Sequence, residues 1–369
     1  SSYFNDYSNV SRLEEQLGQE AAGYDYYFRV YTEGIGTVDE SFDSTPGVVS
    51  GRFSTGVVAK VAKGMADGIN RIAKGVPRDV IIELLSVDTC GFSRGAAAAR
   101  YCVHRVLYGD TNKPYEAPRL PLRDRLTAVG VQVERIEIDT VGLYDTVSAL
   151  GIAYIDISDT KELGLNSVRK ARAVLHLAAA EEYRRCFSLT NIKSAVQAGV
   201  GHEIYLPGAH SDVGGGYVEG SSEELTIWTG SGSASLDGFL RDNGWYQDNE
   251  LTYRHGMDGR RHVEDLRGHR SGISLEYSFL PLRGMADFMR ERGLEVSDEL
   301  YSTYDPVNLP RQVRARVESC IKSRKPNKPA DWQTNEPLLR RLRHDFLHFS
   351  SHESTGHDMR TVRLDRAKH

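Results

Sequence analysis

Ser93 stands where a hydroxyl can become a nucleophile. It is the centre of Asp88-Thr89-Cys90-Gly91-Phe92-Ser93-Arg94-Gly95, which holds a G-x-S-x-G match. Residues 80–87 (V-I-I-E-L-L-S-V) are apolar and β-branched, as a buried strand should be. Ala96 to Ala99 and the following Arg100-Tyr101-Cys102-Val103 predict a helix, because alanine has the best helix propensity. A serine on a tight turn between strand and helix is forced out at the top of the sheet with its hydroxyl exposed. Gly91 and Gly95 are expected to leave room where strand and helix pass close together. The positive end of the helix points at the site, and the N–H of Arg94 can serve as one oxyanion donor.

Two further residues follow expected strands. Residues 131–142 predict a strand that leads into Leu143-Tyr144-Asp145-Thr146-Val147. A carboxylate just past a strand adjacent to the nucleophile strand is where a hydrolase keeps its orienting acid. Residues 202–208 predict the next strand, followed by Ala209-His210-Ser211-Asp212-Val213-Gly214-Gly215-Gly216-Tyr217. The order Ser93, Asp145, His210 is that of α/β-hydrolase triads. His210 would take the Ser93 proton, and Asp145 would hold the imidazole tautomer and stabilise its charged form. Asp212, two residues from His210, could orient the histidine or support the loop.

Other residues compete. His348, in F-L-H-F-S, is the alternative base. His344, His348 and His352 recur every four residues and would share a helix face, a spacing that suits a metal. Ser350 and Ser351 weaken that helix, and no metal or cofactor is expected. Asp139 lies inside a strand and reads as structural. His176 falls in an expected helix over 167–183 and reads as a packed or surface histidine. Gly214 to Gly216 are not followed by Lys-Ser/Thr, so a phosphate cradle is not expected.

The elements that must position these residues alternate strand and helix, which predicts an α/β fold with a mostly parallel sheet, helices on both faces and one irregular insertion. Asn5 to Leu17 predict a short helix capped by Asn9 or Ser11. Residues 24–31 (Y-D-Y-Y-F-R-V-Y) read as a strand ending at a Gly34-Ile35-Gly36-Thr37 loop. An amphipathic helix is expected over 56–72, with further helices over 281–293 and 310–323. The basic face of the last reads as solvated rather than as a headgroup contact. Residues 219–274 read as an insertion or lid, 324–337 as a linker, and 338–351 as a segment docking back on a single catalytic domain spanning 1–369.

The chain has 369 residues, 40% hydrophobic and 26% charged, so it can bury a large core. A net charge of −5 argues against a nucleic-acid partner. No apolar run approaches a membrane span, and the first residues have neither the basic region nor the apolar core of a signal peptide. The four cysteines are spaced neither as a metal knuckle nor as a redox pair. A protein made in the cytoplasm without a cleaved signal is the expectation.

The blocks D-x-C-G-F-S-R-G-A-A-A-A-R, G-L-Y-D-T-V and P-G-A-H-S-D-V-G-G-G-Y resemble the signature blocks of a bacterial α/β-hydrolase family. That family comprises phospholipase effectors of the type VI secretion system, the first of the lipase-effector families. The opening S-N-V-x-R-L, the loop G-I-G-T and the F-L-H-F-S block are also similar. The resemblance implies a phospholipase A-type serine hydrolase with nucleophile Ser93, acid Asp145 and base His210. It further implies a phospholipid substrate, delivery by a secretion spike protein, a cognate immunity protein, and action at the periplasm or membrane of a rival cell. The family's early strand ending F-F-D-G-T is not in this sequence, so the second oxyanion donor is not named. Two other readings stand beside this one, a small-molecule esterase or thioesterase and a catalytically silent docking module. A metal hydrolase built on the terminal histidines is a further alternative.

Overall fold

Hydrophobic runs with β-branched residues, separated by helical stretches, build a parallel sheet in this protein as the sequence predicts. The computed structural model describes residues 7–34, 56–109, 120–148, 163–184, 187–229, 233–258 and 261–350. The chain opens with α1 (Asn9–Gln16), β1 (Leu17–Ala21), α2 (Val57–Gly75), β2 (Ile81–Phe92), α3 (Arg94–Tyr108), α4 (Leu122–Ala128) and β3 (Gln132–Tyr144). It continues with β4 (Ala173–Ala179), α5 (Lys193–Gln197), β5 (Gly201–Leu206), α6 (His210–Gly214), β6 (Ser221–Thr229), α7 (Ser233–Asp242), β7 (Leu251–Asp258) and β8 (Arg261–Ile273). Last come α8 (Phe279–Glu291), β9 (Leu294–Val296), α9 (Glu299–Thr303), α10 (Arg311–Ser323) and α11 (Pro337–Phe346).

Strands β2, β3, β4 and β5 lie side by side in that order, all parallel. Sequential order with crossovers of one hand places the described connecting helices α3, α4 and α5 on one face of the sheet. One core accordingly gathers α2, α3, α4 and α5 against Val141, Leu143 and Val174. The opposite face, with Tyr144, Leu175 and Leu177, is covered by elements from the two ends of the chain, α1 with α8, α10 and α11. Gly142 lets α8 approach this face, since a Cβ there would lie 2.8 Å from the Met285 sulfur. Among the described residues no helix is long and apolar enough to cross a membrane.

Several expectations change. Residues 24–31 form no strand. The aromatic, β-branched segment runs extended along α2, where Cβ atoms on Gly75 and Gly68 would meet Phe28 and Val30. Its side chains pack on a helix rather than on a neighbouring strand. Residues 167–183 are not a helix either. A short 3-10 turn (Leu165–Lys170) leads into β4, buried on both faces, so its apolar run has no alternation to distinguish it from a helix. Ser8, not Asn9 or Ser11, caps α1, its hydroxyl accepting from the Ser11 N–H.

Residues 219–274 are more regular than expected. They hold α7 and an antiparallel sheet in the order β6-β8-β7. Its buried Arg270 pairs with Glu223 and donates to the carbonyls of Arg343, His344 and Leu347. Within residues 324–337, Trp332 is buried and its indole donates to the Tyr205 carbonyl. In the segment read as docking back over 338–351, α11 ends at Phe346, and Leu347 and Phe349 continue as buried chain. The Gly34–Thr37 loop beyond its first residue, and His352, lie outside the described residues.

Two packing features set expected stabilities. The Arg343 guanidinium is buried, pairs with buried Glu181 at 2.7 Å and donates to the carbonyls of Trp332, Thr334 and Asn243. Arg343→Leu leaves Glu181 charged without its counter-ion and should cost about 3–5 kcal/mol in urea unfolding. A Cβ on Gly91 would lie 2.2 Å from the Gly95 carbonyl oxygen, whereas one on Gly95 meets nothing within 4 Å. Gly91 therefore makes the close approach of β2 and α3 alone, against the expectation for both glycines. Gly91→Ala should lower stability by about 1–3 kcal/mol or more. Gly95→Ala should leave it equal or higher by about 0.5–1 kcal/mol, since alanine suits a helix better than glycine. Thermal melts of the two variants check the contrast.

Candidate active site

The site begins where β2 turns into α3. Ser93 sits between them with φ 59° and ψ −126°. A positive φ at a residue with a side chain costs about 1–3 kcal/mol and is held only where the surroundings fix it. Here the Ser93 N–H donates to the Tyr144 carbonyl, while its carbonyl accepts from Ala96, Ala97 and Val147. Arg94 is the first residue of α3, so its backbone N–H lies at the helix's positive end.

Asp145 follows the last residue of β3, the strand paired with β2, and it too has a positive φ, 38°. Its N–H donates to the Leu177 carbonyl on β4 at 2.8 Å. The next residue is pinned by His176. Thr146 N–H donates to His176 Nε2 at 3.1 Å, which puts the ring proton on Nδ1, facing Glu203 at 3.0 Å. His176 is fully buried in β4, a packed histidine on a strand rather than on a helix.

His210 opens α6, four residues past β5. Parallel strands thus deliver Ser93, Asp145 and His210 to one edge of the sheet. His210 Nδ1 lies 2.6 Å from Asp145 Oδ2, and Asp145 Oδ1 accepts from Ala179 N–H at 2.9 Å. Asp145 is wholly buried and His210 is 4% exposed, so the pair is insulated from solvent. A carboxylate on Nδ1 fixes the proton there and leaves the Nε2 lone pair as the basic atom. Burial pushes His210 below the usual imidazole value, against the opposing pull of Asp145.

The imidazole is flanked by two rings that no sequence motif singles out. Phe92, the residue before Ser93, lies 4.5 Å from it between centroids, and Phe187 meets it edge-on at 4.8 Å. Arg184 caps the Phe187 ring and is bound by both oxygens of buried Glu182 at 2.9 Å. Glu182 also accepts the His210 N–H at 3.2 Å. Glu181 and Glu182 directly follow the apolar run of β4, and that pair of carboxylates at a strand end was the one available signal.

Asp212 accepts from the Ala209 N–H and from His348, both backbone N–H and Nδ1, the last at 3.0 Å. His348 thus pairs with Asp212, and its Nε2 meets Ser221 Oγ at 2.9 Å. His344 faces Glu250 and Asp345 instead, so these two histidines do not converge. Asp139 lies within β3, paired with Arg292 at 2.6 Å. Burial pushes the Cys90 thiol up to about 12 and the Cys102 thiol to about 11, which leaves neither as a thiolate nucleophile. Among the described residues no group of three or more His, Cys, Asp and Glu side chains is placed to hold a metal ion.

Comparison with known proteins bears on the fold. Residues 112–232, a stretch that contains Asp145 and His210 but not Ser93, match the family model of the Tle1-like type VI secretion phospholipase effector, catalytic domain. No curated protein matches the chain in sequence. The structure of the Tle1 effector bound to the VgrG spike from the type 6 secretion system superposes with a TM-score of 0.65 at 20% identity, covering 95% of this chain and 75% of that one. An uncharacterized protein from Pseudomonas aeruginosa aligns at 17% identity with a TM-score of 0.45, over 91% of this chain and 49% of its own. The fold is therefore the α/β-hydrolase-like one that the motifs implied, and the resemblance to the Tle1-like effectors drawn from those motifs is matched by the family model over residues 112–232.

Proposed function

We propose that this chain is a serine carboxylester hydrolase of phospholipase A type. The observation that carries the reading is the 2.6 Å contact of His210 Nδ1 with buried Asp145, on the same sheet edge as the strained Ser93 turn. His210 Nε2 takes the Ser93 proton as Oγ attacks the acyl carbonyl, and the developing oxyanion turns toward the Arg94 N–H. Collapse expels the lysophospholipid alcohol, which receives the proton from His210. Water then repeats the sequence on the acyl-serine and frees the fatty acid. The resemblance to Tle1-like effectors supports phospholipid as substrate and delivery by a type VI spike; neutralisation by an immunity protein and action in the periplasm or at the membrane of a target cell complete the proposal.

Fatty acid release from mixed phospholipid micelles tests the reading. Ser93→Ala and His210→Ala should each fall by at least about a thousandfold, with chelator without effect. Activity confined to soluble short-chain esters would move the assignment to a small-molecule esterase. A near-wild-type His210→Ala would remove this histidine as the base.

The pH profile follows from the direction of the His210 shift. The base works only when neutral, and burial lowers the pH at which it becomes so. The acid limb of kcat/KM should therefore have its midpoint below about 6.5, the unperturbed histidine value, and activity should hold as pH falls from 8 to 7. A midpoint above that value contradicts the assignment.

A further inference from the structure

A second serine–histidine–aspartate relay lies beside the first, built from none of its residues. Asp212 Oδ2 accepts the N–H groups of Ala209 at 2.8 Å and His348 at 3.1 Å, and Oδ1 faces His348 Nδ1 at 3.0 Å. The carboxylate is an acceptor, so the ring proton sits on Nδ1 and Nε2 presents a lone pair. That lone pair faces Ser221 Oγ at 2.9 Å, which makes the serine hydroxyl the donor. This is the tautomer and order that a base-activated serine requires.

The relay is rigid and accessible at one end. Tyr217 stacks on His348 with centroids 3.5 Å apart and planes 15° from parallel, fixing the imidazole plane. Asp212 and His348 are buried, whereas Ser221 is partly exposed at the start of β6. The preceding Gly220 has φ 66°, the left-handed region that favours glycine, and turns the chain into β6. His210 and Asp212 are two residues apart in α6, where side chains point to different sides of the helix. The two relays therefore diverge from one helical turn.

We propose that Ser221 is a second nucleophile, activated by His348 and Asp212, which accepts an acyl group from an ester. Ser221 Oγ forms a bond to the acyl carbon as its proton passes to His348 Nε2. The ester C–O bond breaks, and the departing alkoxide takes that proton. Water, deprotonated by the same nitrogen, then releases the acid. The proposal does not rest on Ser93 and stands or falls in a protein that lacks it.

The test is labelling with an alkyl fluorophosphonate, which forms an Oγ–P bond at an activated serine and loses fluoride, the proton going to the histidine. Ser93→Ala protein should take up one label, mapped to Ser221 by peptide mass spectrometry. The Ser93→Ala/Ser221→Ala double variant should take up none while melting at the same temperature as the single variant. Ser93→Ala/His348→Gln should label at least about a hundredfold more slowly, the contribution expected of a general base. If folded Ser93→Ala protein stays unlabelled, Ser221 is only a structural hydrogen-bond partner and the proposal fails. It fails equally if the label maps to another serine, or if removing the His348 imidazole from the folded protein leaves the rate unchanged.

Discussion

Four carboxylates, Asp145, Glu181, Glu182 and Asp212, are buried at the C-terminal edge of the parallel sheet. A charge taken out of water is costly unless it is paired and hydrogen-bonded, and that constraint organises the rest of the molecule. Asp145 takes His210 and a β4 amide. Glu182 takes Arg184 and the His210 amide. Glu181 takes Arg343 and the Gly208 amide, and Asp212 takes His348 and the Ala209 amide. Each carboxylate thus holds either His210 itself or the chain that leads to it. The four pairings are less a store of stability than a set of fixed distances, since a hydrophobic edge would pack as well but would not aim an imidazole.

The backbone carries part of the same task. Three described residues other than glycine have positive φ, and two of them are Ser93 and Asp145. Both lie immediately past the ends of paired strands, where the sheet's hydrogen bonds hold the preceding residue. The strain is thereby confined to the single residue that must turn its side chain out of the strand direction.

Ser93, Asp145 and His210 were legible because each follows an apolar strand and is marked by glycines or by a lone charge at the strand's end. The parallel order of the sheet was legible for the same reason. What failed was any segment whose structure depends on a distant partner. Residues 24–31 have the composition of a strand and lie on a helix. The β4 run has the composition of a helix and sits in mid-sheet, because full burial erases the alternation that would have identified it. The polar strands β6, β7 and β8 carry little apolar alternation, and their pairing is set against the C-terminal segment through Arg270 and Glu223. The rings of Phe92 and Phe187 around His210 leave no trace in local spacing, since they meet across loops.

The covering of the second sheet face by the two ends of the chain has a consequence for the order of events during synthesis. By the time Leu206 has left the ribosome, all four parallel strands and two of the three site residues exist. The groups that hold the histidine loop, Arg343 on Glu181 and His348 on Asp212, are more than a hundred residues further on. Contacts of such sequence separation form late, after the local strand–helix units. The nascent protein therefore carries its serine and acid long before its histidine is anchored. A chain stalled short of residue 343 has every residue of the site but neither of these two anchors.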